Sequence, residues 1–148
     1  DETLKSNTLP HVFVFTHESA FKAFHTDCLD DYPQERDIFW QSLSNAGANV
    51  FFSGHDHFFD FAEIKEEGKK SMYQAIVGTG GGSLHDKPSY GYNGDNSSYL
   101  LQGLFHEVEY GYVVVDISDK SVKMTWKHRL CDDETQICSY IEAYKFSF

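Results

Sequence analysis

The sequence predicts an α/β fold, rich in strands and carrying one or two helices. Three observations carry that prediction. Two short apolar runs, Val12-Phe13-Val14-Phe15 and Asn49-Val50-Phe51-Phe52-Ser53, each lead into a turn that bears histidine. A stretch of helical periodicity lies between them, and the chain closes in β-prone segments separated by short polar turns. Apolar runs of that length read as strands buried in a sheet.

The first run follows Pro10 and stops at Thr16-His17. Ser19 to His25 could form a turn or two of helix, which Asp30-Asp31-Tyr32-Pro33 breaks. Glu35 to Ala46 places Ile38, Phe39 and Leu43 at helical spacing, with Gly47 suited to close the helix. After the second run and its Gly54-His55-Asp56-His57 loop, Phe58 to Ile64 alternates as a strand. Glu66-Glu67-Gly68-Lys69 turns the chain, and Met72 to Val77 returns it into Gly78-Thr79-Gly80-Gly81-Gly82. Ser83 to Leu104, rich in Gly, Ser, Asn and Tyr, reads as a long irregular loop. A β-meander ends the chain: Tyr110 to Ile117, Val122 to His128 and Ser139 to Phe146.

With 148 residues the chain is the size of one modest domain or part of one. Its hydrophobic content of 41% is supported by 13 Phe and 9 Tyr, so rings replace aliphatic volume in the core. A formal charge of −11 argues against nucleic acid or an anionic membrane as partner, since both require basic patches. An anionic substrate would need a local cation, which a metal supplies. No stretch reaches the roughly 20 apolar residues of a membrane span. Cys131 and Cys138 bracket a short acidic loop and could close it as a disulfide or remain two thiols; Asn96-Ser97-Ser98 fits a glycosylation sequon. Together these tilt the reading toward an exported, oxidising location.

Chemistry concentrates at Gly54-His55-Asp56-His57. Neutral imidazole is the commonest metal ligand, and a strand-end loop in an α/β sheet opens into the crevice where such folds place their sites. In a loop kinked at Gly54, two histidines at i and i+2 can diverge to serve two ions roughly 3.5 to 4 Å apart.

In order, the chain presents a strand ending at His17, a helix end and strand running from Asn45 into Gly54-His55-Asp56-His57, a hairpin into Gly78-Thr79-Gly80-Gly81-Gly82, and Gly111-Tyr112-Val113-Val114-Val115-Asp116. This series resembles the C-terminal half of the calcineurin-like metallophosphoesterases, the family of purple acid phosphatases and related phosphodiesterases. It covers about residue 11 to about residue 128. The resemblance implies a four-layer α/β/β/α sandwich and hydrolysis of phosphate mono- or diesters. It also implies two divalent or trivalent metal ions, Zn, Fe or Mn, with His17 and His55 on one and His57 on the other.

The family's Asp-x-His, Gly-Asp-x-x-Asp and Gly-Asn-His-Asp/Glu motifs do not occur here. Residues 1 to 148 therefore read as the C-terminal portion of a metallophosphoesterase domain, expected to require its N-terminal half as partner, to be inactive alone and to self-associate through exposed sheet edges. The alternative is a non-catalytic metal-binding or scaffold module of the same fold. Asp56 reads as a solvated or supporting carboxylate. His85 and Asp86 could line a substrate pocket, though an ordinary polar loop accounts for them better. His11, His25, His106 and His128 read as structural or surface residues. Tyr90, Tyr92, Tyr99 and Phe105 read as rings that close over their own core.

Overall fold

A computed structural model describes residues 2–85 and 98–148. A short helix α1 (Glu2–Lys5) precedes strand β1 (Val12–Phe15), and a 3-10 turn at Leu29–Asp31 leads into helix α2 (Pro33–Asn45). Then come β2 (Ala48–Ser53), β3 (Phe59–Glu66), β4 (Met72–Val77), β5 (Tyr99–Glu107), β6 (Gly111–Ile117), β7 (Val122–Cys131) and β8 (Cys138–Ser147). The fold is an α/β structure, strand-rich as its sequence predicts.

Two sheets form. The first has the order β1-β2-β4-β3-β5: β1, β2 and β4 run parallel, while β3 lies antiparallel to both β4 and β5. The second is the antiparallel meander β6-β7-β8. Every residue of β2 is buried, as befits a strand covered on both faces. Its alternation separates the layers, since Phe51 packs in the cluster that includes Trp40 and Leu43 of α2, whereas Val50 and Phe52 pack against the second sheet. Rings fill the space between sheets: Phe59 stacks on Trp126 at 4.3 Å and Phe61 meets Phe146 at 4.9 Å. The described layers are therefore helix, mixed sheet, antiparallel sheet.

Three local expectations are corrected. Residues 19–25 form no helix, because their backbone donors are taken by side chains far along the chain. Gln74 Oε1 accepts from Ala20 and Phe21 at 2.9 Å, Asp30 from Lys22 at 2.6 Å, and Asp56 from Phe24 and His25. Second, the long loop ends earlier than expected, because Tyr99 to Glu107 pairs with β3. Third, α2 turns Arg36, Trp40 and Leu43 to the core, leaving Ile38 72% exposed. Arg36 can be buried because Asp30 and Asp37 pair with it and its guanidinium lies 4.5 Å above the Phe21 ring.

Cys131 and Cys138 form a disulfide across the ends of β7 and β8. Tyr99 and Phe105 do close over the core, with Phe105 stacked on Tyr144 at 4.5 Å. Asp86, Tyr90, Tyr92 and the Asn96-Ser97 part of the sequon lie outside the described residues. No helix among the described residues is long and apolar enough to cross a membrane.

Candidate metal centre

The parallel strands β1, β2 and β4 share a direction, so the segments that leave them gather at one edge of the sheet. His17 leaves β1, Gly54-His55-Asp56-His57 leaves β2, and the glycine run leaving β4 carries the chain to His85. These segments are bonded to one another through the backbone. Gly54 N–H donates to His17 O at 3.0 Å, Gly78 N–H to Phe58 O at 3.2 Å and His85 N–H to His57 O at 3.1 Å.

Five imidazoles meet there in a continuous row. His17 lies 5.0 Å from His55, His55 is 4.4 Å from His25, His25 is 4.8 Å from His85, and His85 stacks on His57 at 4.6 Å. Of the three expected site residues, His17 and His55 are thus ring neighbours, while His57 lies at the other end of the row. His55 and His57 diverge as expected, but the left-handed turn falls on His55 itself (φ 62°) rather than on Gly54. A non-glycine residue held in that conformation costs on the order of 1 kcal/mol, and such strain collects at functional sites.

For four of the five rings, hydrogen bonds fix which nitrogen carries the proton of the neutral imidazole. A carbonyl oxygen only accepts, so the 2.7 Å contact to Ser83 O puts a proton on His57 Nδ1 and leaves Nε2 bare. His55 Nε2 donates to Asp27 Oδ1 at 3.0 Å, leaving Nδ1 bare. Asp27 is held below the usual carboxylate range, first by that bond from His55 and then by its own backbone N–H. His25 Nδ1 donates to Asp56 Oδ1 at 2.5 Å. His85 Nδ1 instead accepts from the His57 N–H at 3.1 Å, and burial followed by the neighbouring His57 pushes its pKa down, favouring the neutral ring.

Two glycines make room for this packing. A Cβ on Gly82 would stand 2.6 Å from His57 Cε1, and one on Gly78 only 1.9 Å from Asp56 O. Close approach, to the His57 ring at Gly82 and to the Asp56 backbone carbonyl at Gly78, is what the glycine run provides at these two positions.

No family model matches the chain, and no curated protein matches it. Solved structures do. PhoD is 16% identical with a TM-score of 0.67 over 99% of this chain and 31% of its own length. GAP50, described as the anchor in the inner membrane complex of Plasmodium, is 13% identical with a TM-score of 0.56 over 96% of this chain and 39% of its own. This chain shares its fold with both structures. At such identity the likeness carries the fold alone, and the chain spans about a third of the length of these structures.

Within this fold His25 was not expected at the site, and of the two readings of Asp56, solvated or supporting, the structure rules out the first by burying it at 2% exposure. Burial follows from its contacts, since the carboxylate accepts from two backbone N–H groups and one ring. The signal available beforehand was slight: a second histidine eight residues beyond His17, followed by Asp27. Asp27 then proves to be the partner of His55.

Proposed function

We propose that this chain is the C-terminal portion of a metallophosphoesterase domain and supplies part of a two-ion site for hydrolysis of phosphate mono- or diesters. His17 and His55 would hold one ion and His57 the other, with the remaining ligands contributed by the N-terminal half of the domain. The observation that carries the reading is the state of His57: its Nδ1 proton is committed to Ser83 O, its Nε2 is bare, and Gly82 fits closely against the ring. A ring oriented by a backbone carbonyl in this way is the usual condition of a metal-ligating histidine. His55 supports it too, with Nδ1 left bare by the bond to Asp27.

Such ions, Zn, Fe or Mn, would supply positive charge that polarises the phosphoryl oxygens and activates water. The chain's own contribution is orientation. Backbone bonds between the His17, His55 and His85 segments hold the rings before substrate arrives, so little reorganisation remains to be done at the reaction. An open groove bordered by Thr16, His17, Tyr32 and Phe39 gives a leaving group room beside His17. The Cys131–Cys138 disulfide favours an exported, oxidising compartment for this chemistry.

A second reading rests on GAP50, whose description as an anchor suggests that this fold can also serve as a scaffold. Metal content and turnover of p-nitrophenyl phosphate and its bis ester by the full-length protein decide between the two. The hydrolase reading expects about two bound ions and turnover that His57→Ala abolishes; metal-free, inactive full-length protein leaves the scaffold reading.

A further inference from the structure

Asp56 is a buried carboxylate whose surroundings are built for a cation. Among the described residues the one ionisable side chain paired with it is His25. A buried anion without a full countercharge is costly, and three backbone or ring donors offset that cost only in part. On the solvent side stand His25, whose side chain is 33% exposed, and the partly buried His85. Ligand atoms of His25, Asp56 and His85 all lie within 4.8 Å of one another.

We propose that His25, Asp56 and His85 form a divalent-cation site that is complete within this chain and distinct from the positions assigned above to His17, His55 and His57. Two imidazole nitrogens and one carboxylate oxygen suit zinc and its first-row neighbours, and three protein ligands leave a position for water or an anion. Binding is balanced chemically. The ion replaces the proton shared by His25 Nδ1 and Asp56 Oδ1, which goes to solvent, and it displaces the His57 N–H as the partner of His85.

The three ligands come from three segments held in place by bonds other than the ligand contacts. Residues 24 and 25 are tied through their backbone to the Asp56 carboxylate, Phe58 N–H donates to Asp56 O at 3.0 Å, and His85 N–H donates to His57 O. Phe24 stacks on His85 at 4.7 Å and meets Phe58 at 6.4 Å, walling the site on its inner side. An apolar wall on one side and water on the other lowers the local dielectric while leaving a path of entry.

The test removes the paired His17 and His55 ligands in the His17→Gln, His55→Gln double variant, titrated with zinc chloride by calorimetry and with cobalt(II) by visible absorbance. One equivalent should bind, with the absorbance of a nitrogen-ligated, low-coordinate ion. Adding His25→Gln or His85→Gln should weaken binding at least about tenfold, with far-UV circular dichroism unchanged. The proposal is overturned if the double variant binds no zinc, or if the triple variants bind as the double variant does. Phosphoesterase activity does not enter these readouts, so failure here and failure of the hydrolase reading are separately visible.

Discussion

Asp56 Oδ1 lies 2.5 Å from His25 Nδ1, and the same carboxylate accepts the backbone N–H groups of Phe24 at 3.2 Å and His25 at 3.1 Å. One buried side chain thereby ties the segment after β1 to the loop after β2. Asp56→Ala would leave both backbone donors without an acceptor and is expected to destabilise the protein by about 3 kcal/mol. Asp56→Asn keeps one carbonyl oxygen and should cost roughly half of that. Urea unfolding midpoints for the two variants measure the difference; equal and negligible losses would mean that Asp56 does not hold the segments together.

The glycine run offers a cleaner perturbation of His57. Gly82→Ala puts a methyl group 2.6 Å from His57 Cε1, whereas at Gly80 a Cβ meets nothing within 4 Å. Neither position has the left-handed φ that only glycine tolerates easily. Gly82→Ala should therefore displace the His57 ring and break its bond to Ser83 O, while Gly80→Ala leaves both intact. On the proposed hydrolase reading, the expected outcome in the full-length protein is an activity loss of about 10-fold to 100-fold for Gly82→Ala and none for Gly80→Ala, with unfolding midpoints within about 1 kcal/mol of each other.

Contrasting elements show why some of this was legible in the sequence. β1, β2, α2, the β3–β4 hairpin and the terminal meander follow from local periodicity, and so do the positions of His17, His55 and His57 at strand ends. β5 was hidden because its first residues continue a segment rich in Gly, Ser and Asn, and because Gly103 sits beside a register shift that breaks alternation. Residues 19–25 look helical by spacing, yet their backbone is satisfied by Gln74, Asp30 and Asp56. His25 and His85 carry no motif, and they join the cluster only when long-range strand pairing brings 25, 56 and 85 together. Local pattern reports local bonds; partners 31 to 54 residues away leave no mark on it.

The disulfide closes the β7–β8 turn, where Asp132 also caps the loop by accepting from Thr135 N–H at 2.7 Å. Cross-linking so short a loop constrains the unfolded chain by about 2 kcal/mol. Cys131→Ser with Cys138→Ser should lower stability by about that amount, without altering the histidine cluster at the other sheet. Thermal unfolding before and after reduction, with peptide mapping of the bond, checks both points. A change as small as a few tenths of a kcal/mol would show that the acidic turn holds itself.

Cys28 is buried at 3% exposure, and burial together with the nearby Asp31 and Asp56 pushes its thiol up to about 11 from an ordinary 9.0. The folded protein thus prefers the protonated thiol more strongly than the unfolded chain does. Its contribution to stability is full below pH 9.0 and is lost as pH rises through about 11. Urea midpoints measured from pH 8 upward should begin to fall near pH 9, and Cys28→Ala should flatten that first decline. Iodoacetamide should meet about 100-fold less thiolate in the folded protein than in urea at pH 8.

Strand β1 pairs only with β2 among the described residues, so its other edge is open, and Phe15 on it is 74% exposed while stacking on Phe52 at 4.9 Å. Phe15, Phe52, Val77, Tyr112, Val113 and Val115 continue that apolar surface across to the second sheet. An open strand edge beside apolar side chains is a template for pairing with another chain. The 148-residue chain is therefore expected to self-associate with rising concentration in sedimentation velocity. Phe15→Lys, which puts a charge on the edge without entering the core, should shift it toward monomer. If the unmodified chain sediments as a monomer across about 10 to 200 μM, a range where weak edge pairing would register, the β1 edge is not adhesive and the expectation fails.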